Sequence, residues 1–197
     1  MDSLRNAIQI LHQDYGVPHV VISSIPLKPF LYNALPPNLR PNAQNTEHLL
    51  CICSSKNNAG HGRPPSTVHT HAVSFIPGYF SGVGDLFSAL VLAYYYEYDD
   101  QNSTSPTPLS VATSQALTKT RAVVQLTHDH ARYLPEEERT ETDEEKDLAD
   151  PMRKVKRMRG RELRVIQGME IIRSTHGPDS RVMLPWPEFW ADNPRLN

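Results

Sequence analysis

The segment Phe75-Ile76-Pro77-Gly78-Tyr79-Phe80-Ser81-Gly82-Val83-Gly84-Asp85 runs directly into Leu86-Phe87-Ser88-Ala89-Leu90-Val91-Leu92-Ala93, an apolar stretch without internal glycine or proline. That order of residues predicts a glycine turn opening a buried helix. The first N–H groups of a helix have no partner within it, and its N-terminus carries partial positive charge. Glycines let such backbone approach a ligand closely, so a phosphate can be seated there. Asp85 would then be a carboxylate beside a bound phosphate, able to accept a proton from an incoming hydroxyl. A plain tight turn with Asp85 as N-cap has the same short pattern.

The rest of the chain alternates helical and extended patterns. Residues 3–15 space Leu4, Ala7, Ile8 and Leu11 at helical intervals, with Asp2 or Ser3 as the N-cap and Gly16 as the stop. His19-Val20-Val21-Ile22-Ser23-Ser24 is β-branched and apolar, which predicts a buried parallel strand with Ser23 and Ser24 at its C-terminal end. Helix, glycine and strand make one unit of a layered α/β fold, and ligands bind such sheets at that strand end. Residues 26–45 read as a Pro- and Asn-rich loop, 46–54 as a strand, 56–65 as a loop and 67–75 as the returning strand of an antiparallel pair. The run 86–98 is apolar on nearly every side, as a buried helix is, until its tyrosines reach the surface. Residues 109–134 predict a long amphipathic helix capped by Thr107 or Ser110.

Residues 135–160 differ in kind. An acidic block, Glu136 to Asp150, is followed by a basic one that begins at Arg153. Such blocks usually stay solvated, which predicts a flexible insertion; the basic run also has the composition of a nuclear localisation signal. Pro185-Trp186-Pro187-Glu188-Phe189-Trp190 predicts a tail with aromatic anchors.

Composition narrows the classes. A net charge of −2 leaves no footprint for nucleic acid or an anionic membrane, and no apolar run has the length of a membrane span. No signal peptide is expected from Met1-Asp2-Ser3-Leu4-Arg5. Cys51 and Cys53 lie one residue apart on a strand and read as core or edge thiols in a reducing compartment. His69 and His71 would share a strand face and His61 lies nearby, but their spacing supplies no third metal ligand, so no metal site is assigned.

Pro77 to Ala89 resembles the signature of pyridoxal kinases, within the ribokinase-like superfamily. The family has Thr where this chain has Val83. Order and spacing also agree at Val20 to Ser24 and at Leu163-Arg164-Val165-Ile166-Gln167, where the family implies an edge strand; Pro178 to Leu184 extends the match. The resemblance is to the C-terminal, nucleotide-binding portion of a fungal-type member, so a ribokinase-like α/β sandwich is expected over residues 1–197. It implies Asp85 as catalytic base at the substrate hydroxyl, and Gly82, Val83 and Gly84 as the anion hole. Ser23 and Ser24 would touch the ATP phosphates; Val73, Ser74, Phe75 and Ile76 would line the adenine site, with Val83 also at the nucleotide. It implies ATP and Mg²⁺ or another divalent cation, phosphorylation of pyridoxal (also pyridoxine and pyridoxamine), and a cytoplasmic enzyme. Family members often form homodimers. Two other readings are another ribokinase-like vitamin kinase, of the hydroxymethylpyrimidine type, and a non-catalytic nucleotide-binding remnant. The family's N-terminal portion, with the main pyridoxal-binding residues, has no counterpart in the resemblance, which implies a truncated kinase whose outer strand lacks a neighbour.

Overall fold

A computed structural model describes residues 1–41, 47–57, 64–96, 106–139, 143–174 and 181–191. The chain divides into two compact units. One comprises Met1–Phe75, Val91–Gln115 and Arg181–Asn197; the other comprises Ile76–Leu90 and Ala116–Ser180.

The first unit is built on a four-stranded sheet in the order β1-β2-β3-β4, with β1 at His19–Pro26, β2 at His48–Lys56, β3 at Ser66–Ser74 and β4 at Leu184–Pro185. The β2–β3 pair is antiparallel, as its alternating pattern and intervening loop predict. β1 pairs antiparallel with β2, which corrects the expectation of a parallel strand. Val, Ile and Leu favour any buried strand, so composition reports burial and not direction.

α1 spans Asp2–Gln13 and lays Ile8 into the core. Its N-cap is Met1, without a side-chain cap, rather than Asp2 or Ser3. Gly16 leaves the helix at φ 68°, a left-handed turn that suits glycine. The expected loop at 26–45 instead holds α2 (Pro29–Ala34) and a 3₁₀ turn at Pro37–Leu39. Pro29 starts α2 where a missing N–H costs nothing. Leu31, Leu35 and Leu39, four residues apart, are buried with Leu50, Ile52 and Val68.

The aromatic tail completes this core. Phe189 is fully buried, Trp186 nearly so, and their rings meet edge-on at 5.1 Å between centroids. Arg5 fixes the tail by donating from Nε to Phe189 O at 2.6 Å and from Nη2 to Ala191 O at 2.7 Å. A buried polar chain runs beside it: His12 Nε2 lies 2.8 Å from Ser54 Oγ, which donates to Ser66 Oγ at 2.7 Å. Cys51 and Cys53 are buried and free, and burial pushes both thiols up, Cys53 to about 12. They are inert core thiols.

His69 is fully buried, and burial lowers its imidazole from 6.5 to about 4. Between those values the unfolded chain takes a proton that the folded chain refuses, so stability is whole above pH 6.5 and falls as pH drops toward 4. The expected loss from this group is about 2 kcal/mol by pH 5. Urea unfolding at pH 7.5 and 5.0 checks it, and His69→Gln should flatten the difference.

The second unit contains the first turns of α3 (Val83–Tyr94) and most of α4 (Pro108–Ala131). α4 confirms the long helix, and Thr107 caps it by accepting the Ser110 N–H at 3.2 Å. Within this unit Val123 and Thr127 are buried. Lys119 is also buried and donates to Ile171 O at 3.0 Å and Ile172 O at 2.9 Å, at the end of α8 (Met169–Arg173). The expected edge strand at 163–167 is absent: the Arg164 N–H donates to Thr127 Oγ at 3.1 Å, so the segment is tied to α4 as a turn. The charged segment, expected to be a solvated insertion, forms helices α5 (Glu136–Arg139), α6 (Glu144–Ala149) and α7 (Pro151–Arg161).

α3 also departs from expectation. Phe87 and Leu90 are buried, yet Ala89 is exposed and Leu92 is 78% exposed; Tyr96, 77% exposed, reaches the surface as expected. No helix among the described residues is long and apolar enough to cross a membrane.

Candidate functional site

The turn at Gly82 takes the form its glycines imply. Gly82 sits at φ 86°, a conformation that costs a side-chain-bearing residue strain. Its carbonyl accepts the first helical bond, from the Leu86 N–H at 3.0 Å. The N–H groups of Val83, Gly84 and Asp85 therefore precede the helical ladder and are the donors that α3 offers at its N-terminus. This places Gly82 at the cap and Asp85 at the third helical position. The plain reading of Asp85 as N-cap does not match the structure.

Gly84 differs from Gly82. Its φ is ordinary, and a Cβ added there would meet nothing within 4 Å. Neither backbone strain nor packing calls for glycine at 84. What its missing side chain leaves is open space over the helix N-terminus. Asp85 is exposed beside that space, and no described residue hydrogen-bonds to its carboxylate. Ser88, one turn on, donates to Gly84 O at 2.8 Å and tightens the first turn. An exposed run of backbone donors with a solvent-facing carboxylate can hold an anion and accept a proton from a hydroxyl brought to it.

The other predicted residues lie in the first unit. β1 does not end at Ser24 but continues to Pro26, and its register with β2 slips between Ile22 and Ile25. Ser23 and Ser24 form the β-bulge that results, with Ser23 half-buried and Ser24 exposed. Bulges re-aim side chains and are common beside functional sites. In the sequence, two serines in succession interrupt the apolar run between Ile22 and Ile25. Val73 is buried in β3 and Ser74 half-buried, and Phe75, 40% exposed, donates its N–H to Glu47 O at 2.8 Å. β2 lies between the bulge and Val73, since Leu49 pairs with both Pro26 and Val73. One intervening strand puts the two groups roughly 10 Å apart. Ile76, half-buried, begins the second unit.

His61 lies outside the described residues. His71 Nδ1 contacts Val182 O at 2.9 Å. Among the described residues no group of three or more His, Cys, Asp and Glu side chains could hold a metal ion.

No family model matches the chain. A Schizosaccharomyces pombe protein designated a candidate pyridoxal kinase is 30% identical over 142 residues, covering 70% of this chain and 39% of that protein. The Leishmania donovani pyridoxal kinase in complex with ADP shares the fold at a TM-score of 0.57 and 19% identity, over 95% of this chain and 46% of that one. The same kinase with ADP and pyridoxamine aligns at 0.56 and 19% identity, over 95% and 45%. The chain thus spans less than half the length of the relatives it matches, and the fold over that length is the ribokinase-like α/β fold of those kinases. The chain is thus similar, in sequence and in fold, to a part of a pyridoxal kinase.

Proposed function

We propose that this chain supplies the nucleotide-phosphate site of a pyridoxal kinase, which phosphorylates the 5′-hydroxymethyl group of pyridoxal from ATP in vitamin B6 salvage. The observation that carries the reading is the open space at Gly84, beside the α3 backbone donors and an Asp85 that no described residue engages. Relatives of the same fold that hold ADP, and ADP with pyridoxamine or pyridoxine, support the ligand classes.

In this reading Asp85 takes the proton of the substrate hydroxyl as its oxygen bonds to the γ-phosphorus. The bond from that phosphorus to the bridging oxygen breaks, and ADP leaves. The N–H groups of Gly82, Val83 and Gly84, with that of Asp85, face the charge on the transferring phosphoryl group. The family resemblance would assign Ser23 and Ser24 to the phosphates and Val73 to Ile76 to the adenine. A divalent cation such as Mg²⁺ would neutralise phosphate charge when bound.

The test is ATP-dependent formation of pyridoxal 5′-phosphate by this chain with Mg²⁺. Product from pyridoxal and none from hydroxymethylpyrimidine is expected. ATP binding without product would overturn the catalytic reading and favour a nucleotide-binding remnant.

A further inference from the structure

The charged segment of the second unit makes a main-chain contact with the residue before the phosphate turn. Asp143 caps α6 by accepting the Lys146 N–H at 3.1 Å, and Asp150 caps α7 by accepting the Met152 N–H at 3.0 Å. Between these caps Asp147 accepts from Arg153 Nη1 at 2.6 Å and from Arg157 Nη1 at 2.8 Å, while its second oxygen takes Arg157 Nη2. Arg157 is 3% exposed, so this is a nearly buried bidentate pair fixing α7 to α6.

Further along α7 a second constraint acts. A Cβ on Gly160 would lie 2.7 Å from Leu134 Cδ1 and 3.3 Å from Glu138 O, so α7 packs closely on the segment after α4 and on α5, and a larger residue there would displace the Leu134 side chain. The next carbonyl, Arg161 O, accepts the Ser81 N–H at 2.9 Å, and Glu162 forms a parallel bridge with Ser81. Ser81 directly precedes Gly82.

We propose that α7 is a brace that aims the Gly82–Asp85 turn, with Asp147 and Arg157 as its positioning residues. This rests on the reading of that turn as a phosphate site. One end of α7 is locked by the Asp147 pair, its last turn is seated at Gly160, and its terminal carbonyl holds the residue before the cap. A helix transmits displacement along its length, so loosening the Asp147 end shifts Ser81 and with it the donors of α3. A charged segment that is only scaffold would leave those donors untouched.

The test compares Asp147→Asn and Asp147→Glu in the full chain, well below the melting temperature. Hydrogen exchange of the Ser81 amide and the dissociation constant for MgATP are read together. Asp147→Asn should speed Ser81 exchange about tenfold and weaken MgATP about tenfold, and Asp147→Glu should restore most of both. Arg5→Ala, which frees the tail in the other unit, should lower the melting temperature and change neither. Unchanged Ser81 exchange and MgATP affinity in Asp147→Asn, with earlier melting, would overturn the brace and leave the pair purely structural. Should Asp147→Asn fail to fold, Gly160→Ala is read against the same thresholds. An unaltered chain that binds no MgATP overturns the phosphate reading itself, an outcome distinct from equal binding by all variants.

Discussion

Asp85→Asn is expected to lower the rate of pyridoxal phosphorylation by about 10² to 10⁴-fold, the usual contribution of a general base. ATP affinity should change little. Asparagine keeps the shape and still sits in the first turn of α3, but it cannot take the hydroxyl proton. The carboxylate contacts no described residue, so the substitution breaks no internal bond and should leave folding intact. Single-turnover transfer at saturating ATP, set beside equilibrium ATP binding, separates the two effects. A variant that kept its rate would remove Asp85 from the chemistry.

Gly84→Ala is expected to do the reverse of an ordinary core mutation. The added methyl meets nothing, φ at 84 is ordinary, and alanine is the better helix former by about 1 kcal/mol. Thermal unfolding should therefore be unchanged or slightly later. The methyl would nonetheless project into the open space at the helix N-terminus. A phosphate displaced by about 1 Å loses its fit to the backbone donors, and affinity should fall by about 10²-fold. A loss of affinity with no loss of stability is hard to explain unless something outside the chain fills that space.

Much of this was legible in the sequence because local chemistry decided it. Gly82, Gly84 and Asp85 ahead of an apolar run specified a glycine-capped helix start, and α3 begins at Val83. Thr107 before a helical period specified the cap of α4. The motif around that turn also pointed to the family that the comparisons support. What was missed depended on partners far away in the chain. The direction of β1 follows from its pairing with β2, which no property of Val20 to Ile22 records. Leu163 to Gln167 has strand composition, yet Thr127 Oγ claims the Arg164 N–H. The charged blocks looked solvated because each was weighed alone. Asp147 from one and Arg157 from the other satisfy each other, which lets α6 and α7 form. The apolar sides of α3 suggested burial, but burial needs a covering layer, and none of the described residues covers Leu92.

The most direct measurement is a titration of the chain with MgATP, run in parallel on the unaltered protein and on Gly84→Ala. The account predicts saturable binding by the unaltered chain and a loss of about 10²-fold in the variant, at equal thermal stability. Equal affinity in both, or no binding by the unaltered chain, would contradict the assignment of the Gly82–Asp85 turn as the phosphate site.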